Sequence, residues 1–218
     1  MNWQRKKLTY DICIPPLKKN IALLNEKETK DYYDWYLKTI SSRIDYLTDV
    51  CSEEMKISKK TIGFSPESLL IIWKWFLQKA ETEKNDKGER QLDLQTEYIV
   101  RDIGMFVGEL FCSIYDNIHW GYYMEPKTDF FVNRPLLMGF KDNCVSPPFD
   151  AVFEPIHMVG VQAAKILFNK STDKDLYNVF AKWSEKAEGT QRTVRENTGD
   201  GSVCCKDHPN RFETWEFL

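Results

Sequence analysis

No stretch of this sequence is long and apolar enough to cross a bilayer. The most apolar window, Leu69 to Leu77, is interrupted by Lys74 and falls well short of the roughly 20 residues a spanning helix needs. The basic residues near the N-terminus are not followed by the apolar run of about seven or more that a signal peptide requires. The expectation is a soluble, cytoplasmic chain that makes no contact with membranes. In that compartment the six cysteines (Cys13, Cys51, Cys112, Cys144, Cys204 and Cys205) are expected to be reduced thiols.

Catalytic signatures are equally scarce. The chain contains no Gly-x-Ser-x-Gly, no P-loop, no Gly-x-Gly-x-x-Gly and no His-Glu-x-x-His. Its three histidines, His119, His157 and His208, are scattered. Cys204, Cys205 and His208 cluster near the end, but adjacent cysteines do not supply the paired spacing that a zinc site uses. Neither a metal nor a cofactor is expected, and no residue is assigned a catalytic role. A basic excess is missing as well. Thirty Lys and Arg stand against 33 Asp and Glu, for a net charge of −3, and the basic clusters are short. A nucleic-acid partner is therefore not expected.

What the chain has is aromatic mass. Thirteen Phe, 10 Tyr and 7 Trp can bury a large core without disulfides. Apolar residues recur at intervals of three and four in five places. The first helix is expected over about Lys27 to Glu54, with Tyr33, Tyr36, Ile40, Ile44, Leu47 and Cys51 on its inner stripe. Ser65 and Pro66 read as the start of a second helix running to about Ala80. The charged run Glu81 to Gln91 reads as an exposed connector. A third helix covers about Asp93 to Tyr115. Gly104 and Gly108 sit one above the other on it, which implies that another element packs very close there. Two further helices cover about Pro155 to Asn169 and the stripe from Leu176 to Ala187, the latter with a cap at Ser171 or Thr172.

Two aromatic, β-branched segments, Ile118 to Met124 and Phe130 to Phe140, flank a turn at residues 125–129. Tyr10, Ile12 and Ile14 alternate as a short strand would. The fold expected is α+β and mostly helical, with about five helices and one short antiparallel β-hairpin. Residues 1–188 form a single helical domain with the hairpin near 118–140. Residues 189–218 form a polar appendage.

Two constellations remain as candidate binding surfaces. Asp102, Glu109 and Asp116 are spaced by sevens on the third helix and so lie near one face. Two turns, about 10.5 Å, separate neighbours, so one metal cannot be held without ligands from elsewhere. Glu97 and Arg101 read as an ion pair one turn apart. In the hairpin, Trp120 and Tyr122 share one face and Tyr123 the other. One of these faces covers the helices, and the other is free to anchor a partner.

The run Arg101-Asp102-Ile103-Gly104-Met105-Phe106-Val107-Gly108-Glu109, followed by His119-Trp120-Gly121-Tyr122 and Asn133-Arg134-Pro135, resembles a pattern in uncharacterised bacterial proteins of about this length. Some of these are similar to immunity proteins of polymorphic toxin systems. The resemblance carries no catalytic residues. It implies a cytosolic inhibitor that binds a toxin-like protein partner. The expectation is thus a non-catalytic protein-binding module using Trp120, Tyr122 and Tyr123, with Asp102 and Glu109 in support. The alternatives are a small-ligand-binding protein or hydrolase working on the acidic helix face, and a structural protein that self-associates through its tail.

Overall fold

Asn25 opens the first helix through a reciprocal cap. Its side chain accepts the Glu28 amide at 3.0 Å, and the Glu28 carboxylate accepts the Asn25 amide at 2.8 Å. Each amide would otherwise lack a partner at the helix start. The computed structural model describes residues 10–142 and 149–187. Its first helix, α1, is Glu26–Met55, and it ends at Lys56 in the left-handed conformation. Tyr36, Ile40, Ile44, Leu47 and Cys51 are all buried along one stripe, as their spacing predicts, but Tyr33 is only half-buried and its neighbour Tyr32 is buried instead.

The chain then forms α2 (Pro66–Lys79), a hairpin of β1 (Thr82–Lys84) with β2 (Arg90–Leu92), and α3 (Leu94–Ile114). Pro66 occupies the first turn of α2, where its missing N–H costs nothing. Ser65 precedes it but makes no side-chain capping bond. A second sheet follows, with β3 (His119–Gly121), β4 (Leu136–Asp142) and β5 (Phe149–Phe153) antiparallel in the order β3-β4-β5. The last helices are α4 (Pro155–Ala164) and α5 (Asp175–Ala187). The described chain is thus mostly helical α+β, with five helices and two small antiparallel sheets.

Helix α3 is the spine, and it packs against α1, α2 and α4. At its C-terminal end Phe111 joins three elements. Its ring centroid lies 4.5 Å from that of Phe180 on α5 and 5.3 Å from those of Phe140 and Phe153 in the sheet. Deleting a ring at such a point typically costs about 3–5 kcal/mol. The two glycines of α3 do mark close approaches. A Cβ at Gly104 would lie 2.9 Å from the backbone Cα of Ile156 on α4, and a Cβ at Gly108 would lie 2.2 Å from the ring of Trp120.

The local expectations need four corrections. Residues 81–91 are not a plain connector but hold the β1–β2 hairpin, closed by the Gly88 turn at φ +80°. Tyr10 to Ile14 is not a strand; the segment is irregular and buries Tyr10. The aromatic hairpin is shorter on its first arm, which stops at Gly121, and β5 extends it to three strands. Before α5, the Asp175 carboxylate accepts from both the amide and the hydroxyl of Thr172, so the acid caps the threonine rather than the reverse. The expected appendage 189–218, with Cys204, Cys205 and His208, lies outside the described residues, as does Cys144. Among the described residues no helix is long and apolar enough to cross a membrane. None of their His, Cys, Asp or Glu side chains form a group of three or more able to hold a metal ion.

Candidate functional site

The five residues singled out by the sequence do not form one surface. Asp102 is only 1% exposed. The Arg43 side chain, from α1, reaches it with Nη2 at 2.6 Å and Nε at 3.1 Å, and the Tyr10 hydroxyl donates to it at 2.6 Å. Arg43 also donates to the Asp11 carboxylate and carbonyl. Two tyrosine rings, Tyr10 and Tyr46, cover the guanidinium at 5.7 and 4.8 Å. Asp102 is therefore an internal anchor that ties the N-terminal segment to α1 and α3, and no partner can reach it. The acidic face read from the spacing does not exist as a surface.

Glu109 and Trp120 are brought together, but by each other. The indole N–H of Trp120 donates to Glu109 at 2.7 Å, and its ring packs edge-on to Tyr36 at 5.4 Å. Trp120 is half-buried between α1 and α3, so it is a packing residue and not an exposed anchor. Tyr122 is half-buried against Tyr33, at 4.8 Å. The Tyr123 hydroxyl donates to Asp129 within its own loop. The two tyrosines do not alternate across a sheet, because the strand ends at Gly121, before either of them.

The structure builds a different site. A cleft of about 460 Å³ lies where the N-terminal segment crosses α1, α3 and the start of α4. Each wall has an identifiable cause. The Gly104 notch admits the first turn of α4, which carries Ile156 and the capping residue Glu154 up to Arg101 on α3. Asn133, left-handed at φ 62°, donates its side-chain amide to the carbonyls of Ile21 at 3.0 Å and Leu24 at 3.3 Å. Those bonds hold the N-terminal wall against the loop that presents Arg134.

The chemistry of the cleft is graded from floor to mouth. Near the floor are Glu154, 3% exposed, and Tyr32, 7% exposed. Arg101 and Arg134 are half-buried, and Lys18 and Lys19 stand exposed at the rim. Arg101 donates one bond, to the Cys13 carbonyl at 2.9 Å, and stacks on Tyr98. It does not pair with Glu97 as the spacing suggested. Arg134 donates one bond, to the Phe130 carbonyl at 3.1 Å. A guanidinium carries five N–H donors, so most donors of both arginines have no protein acceptor among the described residues. The Tyr32 hydroxyl has none either, and burial raises its pKa to about 12. Glu154 accepts the His157 amide as the cap of α4. Burial nevertheless pushes its pKa up to about 7, against the opposing pull of that amide, Arg134 and Arg101.

The sequence held traces of this site. Glu154 precedes Pro155, a helix-start signature, but Glu is an uncommon cap and does not stand out by type. Asn133 and Arg134 belong to the Asn-Arg-Pro run, whose residue types alone assign them no role. Tyr32 and Arg101 carry no local signal at all, since only the crossing of the N-terminal segment encloses them. Comparison of the chain with family models, with curated proteins and with solved structures yields no match.

Proposed function

We propose that this chain is a non-catalytic binding protein that takes an anionic group, a carboxylate or a phosphate, into the cleft between the N-terminal segment, α3 and α4. One observation carries the reading: two half-buried arginines line a single cleft of about 460 Å³ with most of their donors unused. Partly desolvated guanidinium groups are strong, geometrically selective anion receptors. Lys18 at the rim adds long-range attraction for the same sign of charge, while Lys19 is paired with Glu28 at 2.7 Å.

Calorimetric titration of the full chain with butyrate, valerate and inorganic phosphate tests this. At least one should bind, and Arg134→Ala and Arg101→Ala should each weaken it by about tenfold or more, the value of a charge-assisted hydrogen bond. An absence of binding, or binding that both variants leave unchanged, overturns the proposal.

A second reading keeps the inhibitor that the resemblance implied, moved from the hairpin to the cleft. There the anionic group is an acidic side chain of a protein partner. Ile14 at 72% exposure lines the cleft, and Leu23 at 69% lies just beyond Ile21, which also lines it. Apolar side chains beside a charged pocket are the composition of a protein-binding rim. Ile14→Ser with Leu23→Ser, which removes the apolar rim without adding negative charge beside the arginines, separates the sources. The pair abolishes capture of a protein partner and leaves the affinity for free butyrate or phosphate intact.

A further inference from the structure

A site meant only for an anion has no reason to bury a carboxylate, yet the floor of this cleft is one. Glu154 opposes every negative ligand that approaches Arg101 and Arg134. Its capping bond to the His157 amide does not require a glutamate, because Asp, Asn, Ser and Thr cap helices better. Glu154 and Tyr32 both line the cleft and both are buried, and the Tyr32 hydroxyl has no partner among the described residues. The charge order from floor to mouth is therefore negative, then positive, then positive again. We infer, resting on the binding role proposed above, that the cleft selects zwitterions: the ligand's ammonium pairs with Glu154 at the floor while its carboxylate is held by Arg101 and Arg134.

Each group then gains what it lacks. Glu154 acquires a buried cationic partner, and a buried charge is tolerated only when paired. Tyr32 acquires a partner for its hydroxyl. The arginines keep the anion that suits their spare donors. A plain carboxylate satisfies the arginines alone, and a plain amine meets their repulsion on the way to Glu154. Discrimination follows from leaving buried groups unpaired, the strongest form of small-ligand selectivity.

The pairing also links binding to protons. The groups around Glu154 are Tyr32 and Tyr36 from α1, both pushed up by burial and so neutral, Arg101 from α3, Arg134 from the loop before β4, and His157 from its own helix, with Tyr98, Lys18 and Lys19 elsewhere in the lining. Tyr32 stays neutral at ordinary pH because burial raises it, and burial lowers His157. Glu154 is thus the group that changes charge near neutrality. It must ionise to hold an ammonium, so a zwitterion gains affinity as pH rises from about 6 to about 8, and a simple anion loses it over the same range.

The test uses the full chain in calorimetry at about pH 8, where Glu154 is mostly ionised. Glycine, β-alanine, γ-aminobutyrate and δ-aminovalerate are each compared with the acid lacking the amine: acetate, propionate, butyrate and valerate. At least one amino acid should bind about tenfold or more tighter than its partner acid. Glu154→Gln should erase that preference while the plain acid still binds. If no pair shows a preference, or if the preference survives Glu154→Gln, the zwitterion inference is overturned while anion binding stands. If no acid of either series binds, anion binding fails with it. Should Glu154→Gln not fold, the wild-type pH series decides. A preference that does not shrink between about pH 8 and about pH 6 sinks the inference.

Discussion

Trp120 fills the notch that Gly108 leaves on α3. Its ring sits where a Cβ would be, 2.2 Å from the ideal position, and its N–H then reaches Glu109 at 2.7 Å. A glycine, a tryptophan and a glutamate from two elements thus form one packing unit.

Gly108→Ala sets two effects against each other. Alanine gains about 0.8–1 kcal/mol of helix propensity. It also drives a methyl into a rigid ring, and overpacking of that kind costs about 1–3 kcal/mol. The ring cannot retreat without losing its bond to Glu109, so the net effect is a loss of about 1–2 kcal/mol. Gly63→Ala is the control, because nothing lies within 4 Å of its Cβ. Denaturant melts should show Gly108→Ala destabilised and Gly63→Ala unchanged or slightly more stable. A stabilised Gly108→Ala would mean that Trp120 does not occupy the notch.

The same unit shows what a sequence can disclose. Five helical stripes were legible because burial imposes a period on one element at a time. The glycine pair was legible because two vacancies one turn apart have few other uses. What fills a vacancy was not: Ile156 lies 52 positions along the chain from Gly104. Asp102 misled for a related reason. On its own helix it looks like one of an acidic row, and only Arg43 and Tyr10, brought from other elements, turn it inward. The cleft was the least legible feature, since its lining comes from five separate stretches of chain and no stretch announces it.

The Arg43–Asp102 pair carries a firm stability prediction. Asp102→Ala leaves a buried guanidinium with Asp11 as its remaining acidic partner. Breaking a buried pair from one side costs about 3–5 kcal/mol. Replacing both, as Arg43→Met with Asp102→Leu, removes the stranded charge and should recover much of that loss. Equilibrium urea unfolding of the single and double variants measures it. A double variant no more stable than Asp102→Ala would show that the pair is not the source of the penalty.

Asn133 permits a test that separates backbone strain from hydrogen bonding. It is left-handed at φ 62°, and its amide donates to the carbonyls of the Ile21–Leu24 turn. Asn133→Ala loses both the tolerance of that conformation and the bonds, a loss of about 2–3 kcal/mol. Asn133→Gly keeps the conformation and loses only the bonds, so it should recover about 1 kcal/mol of that. Both variants should weaken anion binding together, because both free the N-terminal wall from the Arg134 loop. Equal melting temperatures for the two would rule out strain as a component.

Glu154 makes stability depend on pH in a direction opposite to most carboxylates. Its pKa is about 7 when folded, against an ordinary 4.5. Between those values the folded chain holds a proton that the unfolded chain releases. The free energy of unfolding therefore falls as pH rises through that window and stays low above it. The penalty at alkaline pH is on the order of 3 kcal/mol. His157 works the other way, since burial lowers its pKa and an unfolded chain takes up its proton first as pH falls. Comparing wild type with Glu154→Gln at each pH cancels His157 and isolates the glutamate. A Gln side chain can still cap α4 through its amide oxygen. The variant should be close to wild type near about pH 5 and more stable than it by a few kcal/mol near about pH 8. If the two stability curves run parallel, Glu154 titrates as an ordinary surface acid, and the floor of the cleft is wetter than its burial indicates.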